Sequence, residues 1–253
     1  MNVQNLKLIA FDADDTLWVN EPNYVNVEKR IHSILAAHLD AETISRHFYH
    51  AQIKNLQLFG YGAKGYMLSM IETAIELTGG AVTGTEIQQI IDTGKELLRY
   101  PIELLPGVLT TLDALHSHYE LMVLTKGDLF DQESKLARSG LGFYFSHVEI
   151  VSEKNEATYQ RLLSRYALRP EEFLMIGNSP KSDVLPVVGI GGHAVHIPYE
   201  ITWGHEQVSQ TQLQGKKFLT LPSMTELLAY FPHLFTQPHP KPDFPHADLR
   251  NAG

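Results

Sequence analysis

The 253-residue chain contains no cysteine. That excludes disulfides, thiolate-bound zinc, iron–sulfur clusters and a thiol nucleophile, and it is compatible with a reducing compartment. Positive charge is also scarce. Twenty basic residues stand against 29 acidic ones, for a net charge of −9, and the densest cationic spot is the pair Lys216-Lys217. A phosphate-backbone binder needs a clustered basic surface, so no nucleic acid is expected as a partner. Long apolar runs are missing too. The start, MNVQNLKLIAFDADDT, turns acidic after Phe11 and lacks the cationic segment, long apolar stretch and small-residue cleavage site of a secretory leader. Runs such as LMVL at 121–124 are far shorter than the ~18 residues of a membrane span. The expectation is a soluble, cytoplasmic protein with no membrane partner, as a monomer or a homodimer.

What the chain does contain is a series of short apolar runs before polar or glycine-containing breaks. They are LKLIAF (6–11), LMVL (121–124), HVEIV (147–151), FLMI (173–176) and HAVHI (193–197). Nearly continuous runs of this kind fit strands buried on both faces, as in a parallel sheet. Helix-like stretches at 129–139, 155–166 and 181–188 separate the later ones. The β-α-β-α-β rhythm from about residue 119 predicts an α/β fold with a doubly wound parallel sheet.

One long gap interrupts the rhythm. Between Trp18 and Pro106 apolar residues recur at helical spacing, as in Val27, Ile31, Ile34, Leu35 and Leu39, or Met67, Met70, Ile71, Ala74 and Ile75. About four such helices would make a small bundle inserted after the first strand. The expected division is a core from 1–18 and 106–230, a helical unit from 19–105, and a Pro-rich extended tail from 231–253. Pro22, Pro101 and Pro106 mark the connections. The tail's His233, His239 and His246 are spaced by prolines and do not suggest a preorganised metal site.

The chemistry gathers at the ends of the strands, where open α/β sheets bind ligands. The first strand runs into Asp12, Asp14, Asp15 and Thr16. Asp12 and Asp14 are two residues apart, so a bent strand end can aim both at one centre. Neighbouring carboxylates repel and call for a cation, and hard oxygen ligands suit Mg²⁺. Asp15 and Thr16 are partly explained as helix caps. The second strand ends in Thr125-Lys126-Gly127, a hydroxyl and turn amides able to hold an oxyanion, though taken without the first motif ordinary turn chemistry is the better account. Lys154 lies between a strand and a helix, where a fixed ammonium could neutralise transferring negative charge, and where a solvated lysine in a segment capped by Ser152 or Asn155 is an equal account. The fourth site, Gly177-Asn178-Ser179 followed by Asp183, offers a further cation ligand, directly or through water, with Ser182-Asp183 as a helix N-cap pair the alternative.

Four strand ends carrying an acid pair, a hydroxyl, a lysine and an acid, in that order, are more specific than any one alone. In FDADDTL, LTKG, EKN and GNSPKSD the chain resembles the haloacid dehalogenase superfamily, over residues 6–18 and about 119–197. The resemblance implies a Rossmann-like core with a C1-type helical cap. It further implies that Asp12 is a nucleophile forming an aspartyl-phosphate, that Asp14 is the acid/base, and that Thr125 and Lys154 hold the phosphoryl oxygens. Mg²⁺ would lie between Asp12, the Asp14 carbonyl and the fourth motif. There the family often has Gly-Asp, whereas this chain has Gly177-Asn178, which shifts the expected ligation toward Asp183. True dehalogenases dispense with an acid two residues after the nucleophile, because halide leaves unprotonated, so Asp14 favours phosphoryl transfer.

Gly60-x-Gly62-x-x-Gly65 matches a dinucleotide-binding fingerprint as a string, but a polar helical stretch precedes it instead of a strand, which excludes that reading. In similar capped proteins a Gly-rich cap loop reaches the active site, which makes Tyr61 and Lys64 specificity candidates beside an equally ordinary role as an exposed turn. Trp203, His205 and Glu206, in the loop after the fifth run, are read as packing residues in preference to a role at the rim of the site. The expected function is a Mg²⁺-dependent phosphatase acting on a small phosphorylated metabolite. The alternatives are a phosphomutase and a non-catalytic phosphate-binding regulator on the same scaffold.

Overall fold

The structure is a computed structural model that describes residues 5–232. Among these residues six parallel strands form one sheet in the order β3-β2-β1-β4-β5-β6. The strands are β1 (Leu8–Phe11), β2 (Glu120–Lys126), β3 (His147–Val151), β4 (Phe173–Gly177), β5 (His193–His196) and β6 (Leu219–Thr220). The central strand β1 is buried along its whole length. Its alternate side chains enter two different clusters. Ile9 and Phe11 pack with Leu121, Val123, Leu174 and Ile176 on one face, while Leu8 and Ala10 pack with Met122, Leu124, Phe173 and Met175 on the other. Both faces being covered explains why these strands read as unbroken apolar runs instead of alternating ones. Helix α5 (Val108–Leu115) covers the first face through Leu112 and Leu115, and α7 (Glu156–Arg165) covers the second through Tyr159, Leu162 and Leu163.

Four helices intervene between β1 and β2: α1 (Glu21–Leu35), α2 (Ala41–Phe59), α3 (Ala63–Leu77) and α4 (Gly84–Leu97). They bury a third cluster of their own around Val27, Ile31, Ile44, Phe48, Met70 and Ile90. Their ends carry local signals. Asp40 accepts from Thr43 N at the start of α2, and Thr83 with Glu86 forms a reciprocal capping box on α4. Pro22 occupies the first turn of α1, where a missing N–H costs nothing. The two connecting segments run side by side, with Val19 N donating to Glu103 O at 2.9 Å and Leu105 N to Leu17 O at 3.0 Å.

The remaining helices are α6 (Leu129–Ser139), α8 (Leu185–Gly189) and α9 (Gln210–Leu213). Three details depart from expectation. The stretch 181–188 is not one helix: Pro180–Val184 forms a π turn before α8 begins. Pro186 has no N–H to offer the Ser182 carbonyl, which accepts from the Tyr159 hydroxyl at 3.0 Å instead. The two-residue β6 had no readable signature. Phe231, assigned to the tail, is fully buried in the first sheet cluster, so the folded chain runs past residue 230. The tail histidines lie outside the described residues. No helix of the described residues is long and apolar enough to cross a membrane.

Candidate active site

The carboxyl ends of β1, β2 and β4 open into a cavity of about 410 Å³, roofed by α1, α2, α3 and the loop between α2 and α3. Lys154, just before α7, is the electrostatic centre of its floor. Its ammonium lies 2.5 Å from Asp12 Oδ1 and 2.7 Å from Asp183 Oδ1, and its side chain is 1% exposed. Burial pushes this lysine down, but the two carboxylates outweigh it and hold its pKa above the ordinary value. Asn155, the next residue, accepts from Thr158 N and so fixes the start of α7. The capping function therefore falls to Asn155 and leaves Lys154 free to reach the acids.

Asp12 is pushed up to about 7, chiefly by burial, with Asp183 and Asp14 adding to the rise and Lys154 opposing it. Its second oxygen lies 3.2 Å from the Thr16 hydroxyl, which also approaches Asn178 Oδ1 at 3.4 Å and accepts from Asn178 N at 3.1 Å. Thr16 is thus a bridge between the first and fourth motifs and not a helix cap. Asp15 does cap, at a distance. In a left-handed conformation (φ 60°), it accepts from the backbone N–H of Asn20 and Glu21 at the head of α1.

Asp14 is held by three donors: Trp18 Nε1 at 2.7 Å, Gln132 Nε2 at 2.8 Å and Lys135 Nζ at 3.0 Å. Gln132 and Lys135 come from one face of α6 and were missed from the sequence. Their spacing of three along a helix is the signal that could have found them. Asp183 uses its second oxygen to accept from Ser179 N at 3.0 Å, and no Cβ fits at Gly177, since it would meet Asp183 Oδ2 at 2.2 Å. The glycine of the fourth motif is there to admit this carboxylate.

Thr125 is buried at the floor, and its hydroxyl donates to the adjacent Lys126 carbonyl at 3.2 Å. Lys126 points across the cavity floor. Its ammonium meets Glu206 Oε1 at 2.6 Å and Ser182 Oγ at 3.0 Å, and the Tyr61 ring stands over it at 4.2 Å. Glu206, expected to serve packing, is a hub: its other oxygen accepts from Ser179 and Ser182, each at 2.5 Å. Burial pushes Glu206 up, but the Lys126 ammonium and the two hydroxyls outweigh it and hold its pKa at about 2. Trp203 lines the cavity as well.

Tyr61 is brought to the site, its hydroxyl donating to Glu153 at 2.8 Å. Lys64 is not: it lies outside the cavity lining, half exposed, and pairs with Asp128 at 2.9 Å. Gly62 (φ 115°) allows the α2–α3 loop this close, because a Cβ there would lie 3.2 Å from Asp128 N.

The donor set is all oxygen and hard. Asp12 Oδ2 and Asn178 Oδ1 converge on one hydroxyl, and the three carboxylates Asp12, Asp14 and Asp183 face only two ammoniums, Lys154 and Lys135. A site short of one positive charge, with its central carboxylate raised, fits a divalent cation such as Mg²⁺. Among the described residues no group of three or more His, Cys, Asp or Glu stands in metal-binding arrangement. Asn178 takes the place of a further acid.

Residues 6–188 match the haloacid dehalogenase-like hydrolase family. The chain belongs to that family. It is 39% identical to a haloacid dehalogenase-like family hydrolase from Xanthomonas campestris, whose crystal structure superposes with a TM-score of 0.81 over 94% of this chain and 95% of that one. A 2-haloacid dehalogenase from Pseudomonas syringae shares the fold at 19% identity, with a TM-score of 0.58 over 91% of this chain and 98% of the other. A glyceraldehyde 3-phosphate phosphatase from Methanothermobacter thermautotrophicus is 31% identical over 98 residues, 37% of this chain and 43% of that protein's length. The chain therefore matches less than half of this curated relative.

Proposed function

We propose that this hydrolase is a Mg²⁺-dependent phosphatase that cleaves a small phosphorylated metabolite through an aspartyl-phosphate on Asp12, in the cytoplasm. The observation that carries the reading is Asp14. A halide departs without a proton, whereas an alkoxide leaving group needs one, and here a second carboxylate is held in place by Trp18, Gln132 and Lys135.

In the first step an Asp12 oxygen attacks phosphorus, the bond to the leaving oxygen breaks, and Asp14 in its acid form protonates that oxygen. In the second, Asp14 as carboxylate takes a proton from water, whose oxygen attacks phosphorus and releases Asp12 and inorganic phosphate. Lys154 keeps Asp12 aimed and neutralises phosphoryl oxygens, aided by the Thr125 hydroxyl and the backbone at Lys126 and Gly127. The cation would be held by Asp12, the Asp14 main-chain carbonyl, Asn178 and Asp183. When bound it supplies charge compensation for the transferring phosphoryl group. Residues 19–105 act as a C1-type cap whose loop at Tyr61 closes the chamber and limits access of water.

The test is phosphate release from p-nitrophenyl phosphate and a metabolite panel, with Mg²⁺ or with EDTA, for the wild type and Asp12→Asn. Release that requires both Mg²⁺ and Asp12 is the expected outcome. Activity that survives Asp12→Asn, or halide release from 2-haloacids in place of phosphate release, overturns the reading. Transfer to a sugar without free phosphate would identify a mutase.

A further inference from the structure

The wall of the cavity differs in character from its floor. Among the described residues only two cations line it, Lys126 and Lys154, both at the strand ends and both already paired with acids. The wall contributed by α1–α3 presents two carboxylates, Glu21 and Glu28, and no Lys or Arg. Glu28 is engaged by the Ser45 hydroxyl at 2.5 Å and lies 3.5 Å from His32. Glu21 has no side-chain hydrogen bond or ion pair among the described residues, although burial, with Asp14 and Glu28 nearby, pushes its pKa up to about 7. A carboxylate in that setting gains from a donor and loses from another anion.

The same wall is aromatic. Tyr66 receives Tyr24 and Phe48 edge-to-face, at centroid distances of 4.9 and 4.8 Å, and Tyr61 of the α2–α3 loop meets Trp203 in the same manner at 6.1 Å. All five line the cavity. An aromatic lining favours a ring-bearing group over a small, fully polar one. The whole cavity, catalytic floor included, has a volume of about 410 Å³, within the range of about 300–1,000 Å³ typical of pockets for drug-sized ligands.

We infer that the leaving group of the substrate is a flat, ring-bearing alcohol that carries hydrogen-bond donors and no second anionic group. The inference rests on the phosphatase reading for its chemistry, but the complementarity of the wall is measurable apart from turnover. A carboxylate or second phosphate on the substrate would be desolvated against Glu21 and Glu28 with no cation to receive it.

The experiment compares pyridoxal 5′-phosphate and a purine nucleoside 5′-monophosphate with 2-phosphoglycolate, 3-phosphoglycerate and glyceraldehyde 3-phosphate. Two quantities are read: kcat/KM for the wild type with Mg²⁺, and Kd by calorimetry for Asp12→Asn, in which turnover is expected to be lost. At least one ring-bearing compound should exceed both phosphorylated acids by about tenfold or more in both quantities. Glu21→Lys should narrow that gap by about fivefold, mainly by improving the acids, and Glu21→Gln by less. Ring preference in binding without phosphate release from any compound would support the wall assignment and sink the phosphatase reading. Equal or reversed preference, binding of none of the compounds, or an unchanged gap in Glu21→Lys overturns the inference.

Discussion

Glu206→Gln removes one charge from the hub that ties the loop after β5 to the active-site floor, and its effect on stability can be worked from the structure. The carboxylate receives the Lys126 ammonium at 2.6 Å and two serine hydroxyls at 2.5 Å each, and both members of the ion pair are only 13% exposed. Its pKa falls from an ordinary 4.5 to about 2. At 1.36 kcal/mol per pH unit this corresponds to about 3 kcal/mol of stability at neutral pH. The amide keeps the shape but leaves Lys126 without its counter-charge, so the loss should approach that figure.

The sign is fixed by the direction of the shift. A carboxyl whose pKa is lower in the folded state stabilises fully above the unfolded value of 4.5, and this contribution fades as pH falls toward about 2. Urea unfolding of wild type and Glu206→Gln at pH 7 should therefore differ by about 2–3 kcal/mol, or roughly 5–10 °C in Tm. The gap should shrink steadily between pH 4.5 and pH 2. Equal stability at pH 7, or a gap that persists unchanged at the acid end, would refute the reasoning.

Three other perturbations follow from the same geometry. Gly177→Ala drives a Cβ into Asp183, which cannot move without abandoning Lys154; kcat should drop at least about a hundredfold, with about 1–3 kcal/mol lost in denaturant unfolding. Wild-type activity in that variant would disprove the close-approach argument. Lys135→Met should lower kcat about tenfold with little change in KM, because Lys135 positions Asp14 and need not touch substrate; steady-state kinetics showing a KM effect alone would contradict this. Tyr61→Phe keeps the ring over Lys126 but deletes the bond to Glu153, so KM should rise a few-fold while Tm stays within about 2 °C. A collapse of Tm would give Tyr61 a structural role instead.

What the sequence made legible depended on how local the signal was. Strands β1, β2 and β4 stand out because burial on both faces leaves them almost wholly apolar, the partly exposed β3 and β5 keep shorter apolar runs, and Asp12, Thr125, Lys154 and Asp183 stand out because each lies at or soon after such a run. Glu206 had no local pattern. It acts on Lys126 eighty positions earlier in the chain, and only the crossing of β5 beside β4 brings the two together. Gln132 and Lys135 read as the polar face of an amphipathic helix until the fold turns that face toward Asp14. Phe231 sits among prolines and reads as tail, yet its ring fills the sheet core. Lys64 followed the Gly-rich loop as expected but turned outward to Asp128, while Tyr61, three residues earlier, turned inward.

The helical unit keeps a hydrophobic cluster of its own, apart from the two that sandwich the sheet. Substitutions far apart and without shared partners add in their effects. Remodelling Tyr24 or Phe48 therefore draws on the stability of the bundle, while Asp12 and Lys154 remain anchored to each other at the carboxyl edge of the sheet. Over evolutionary time, or in directed evolution, such a chain can exchange one clientele of substrates for another by drift in the bundle alone. The reactive end would be inherited intact.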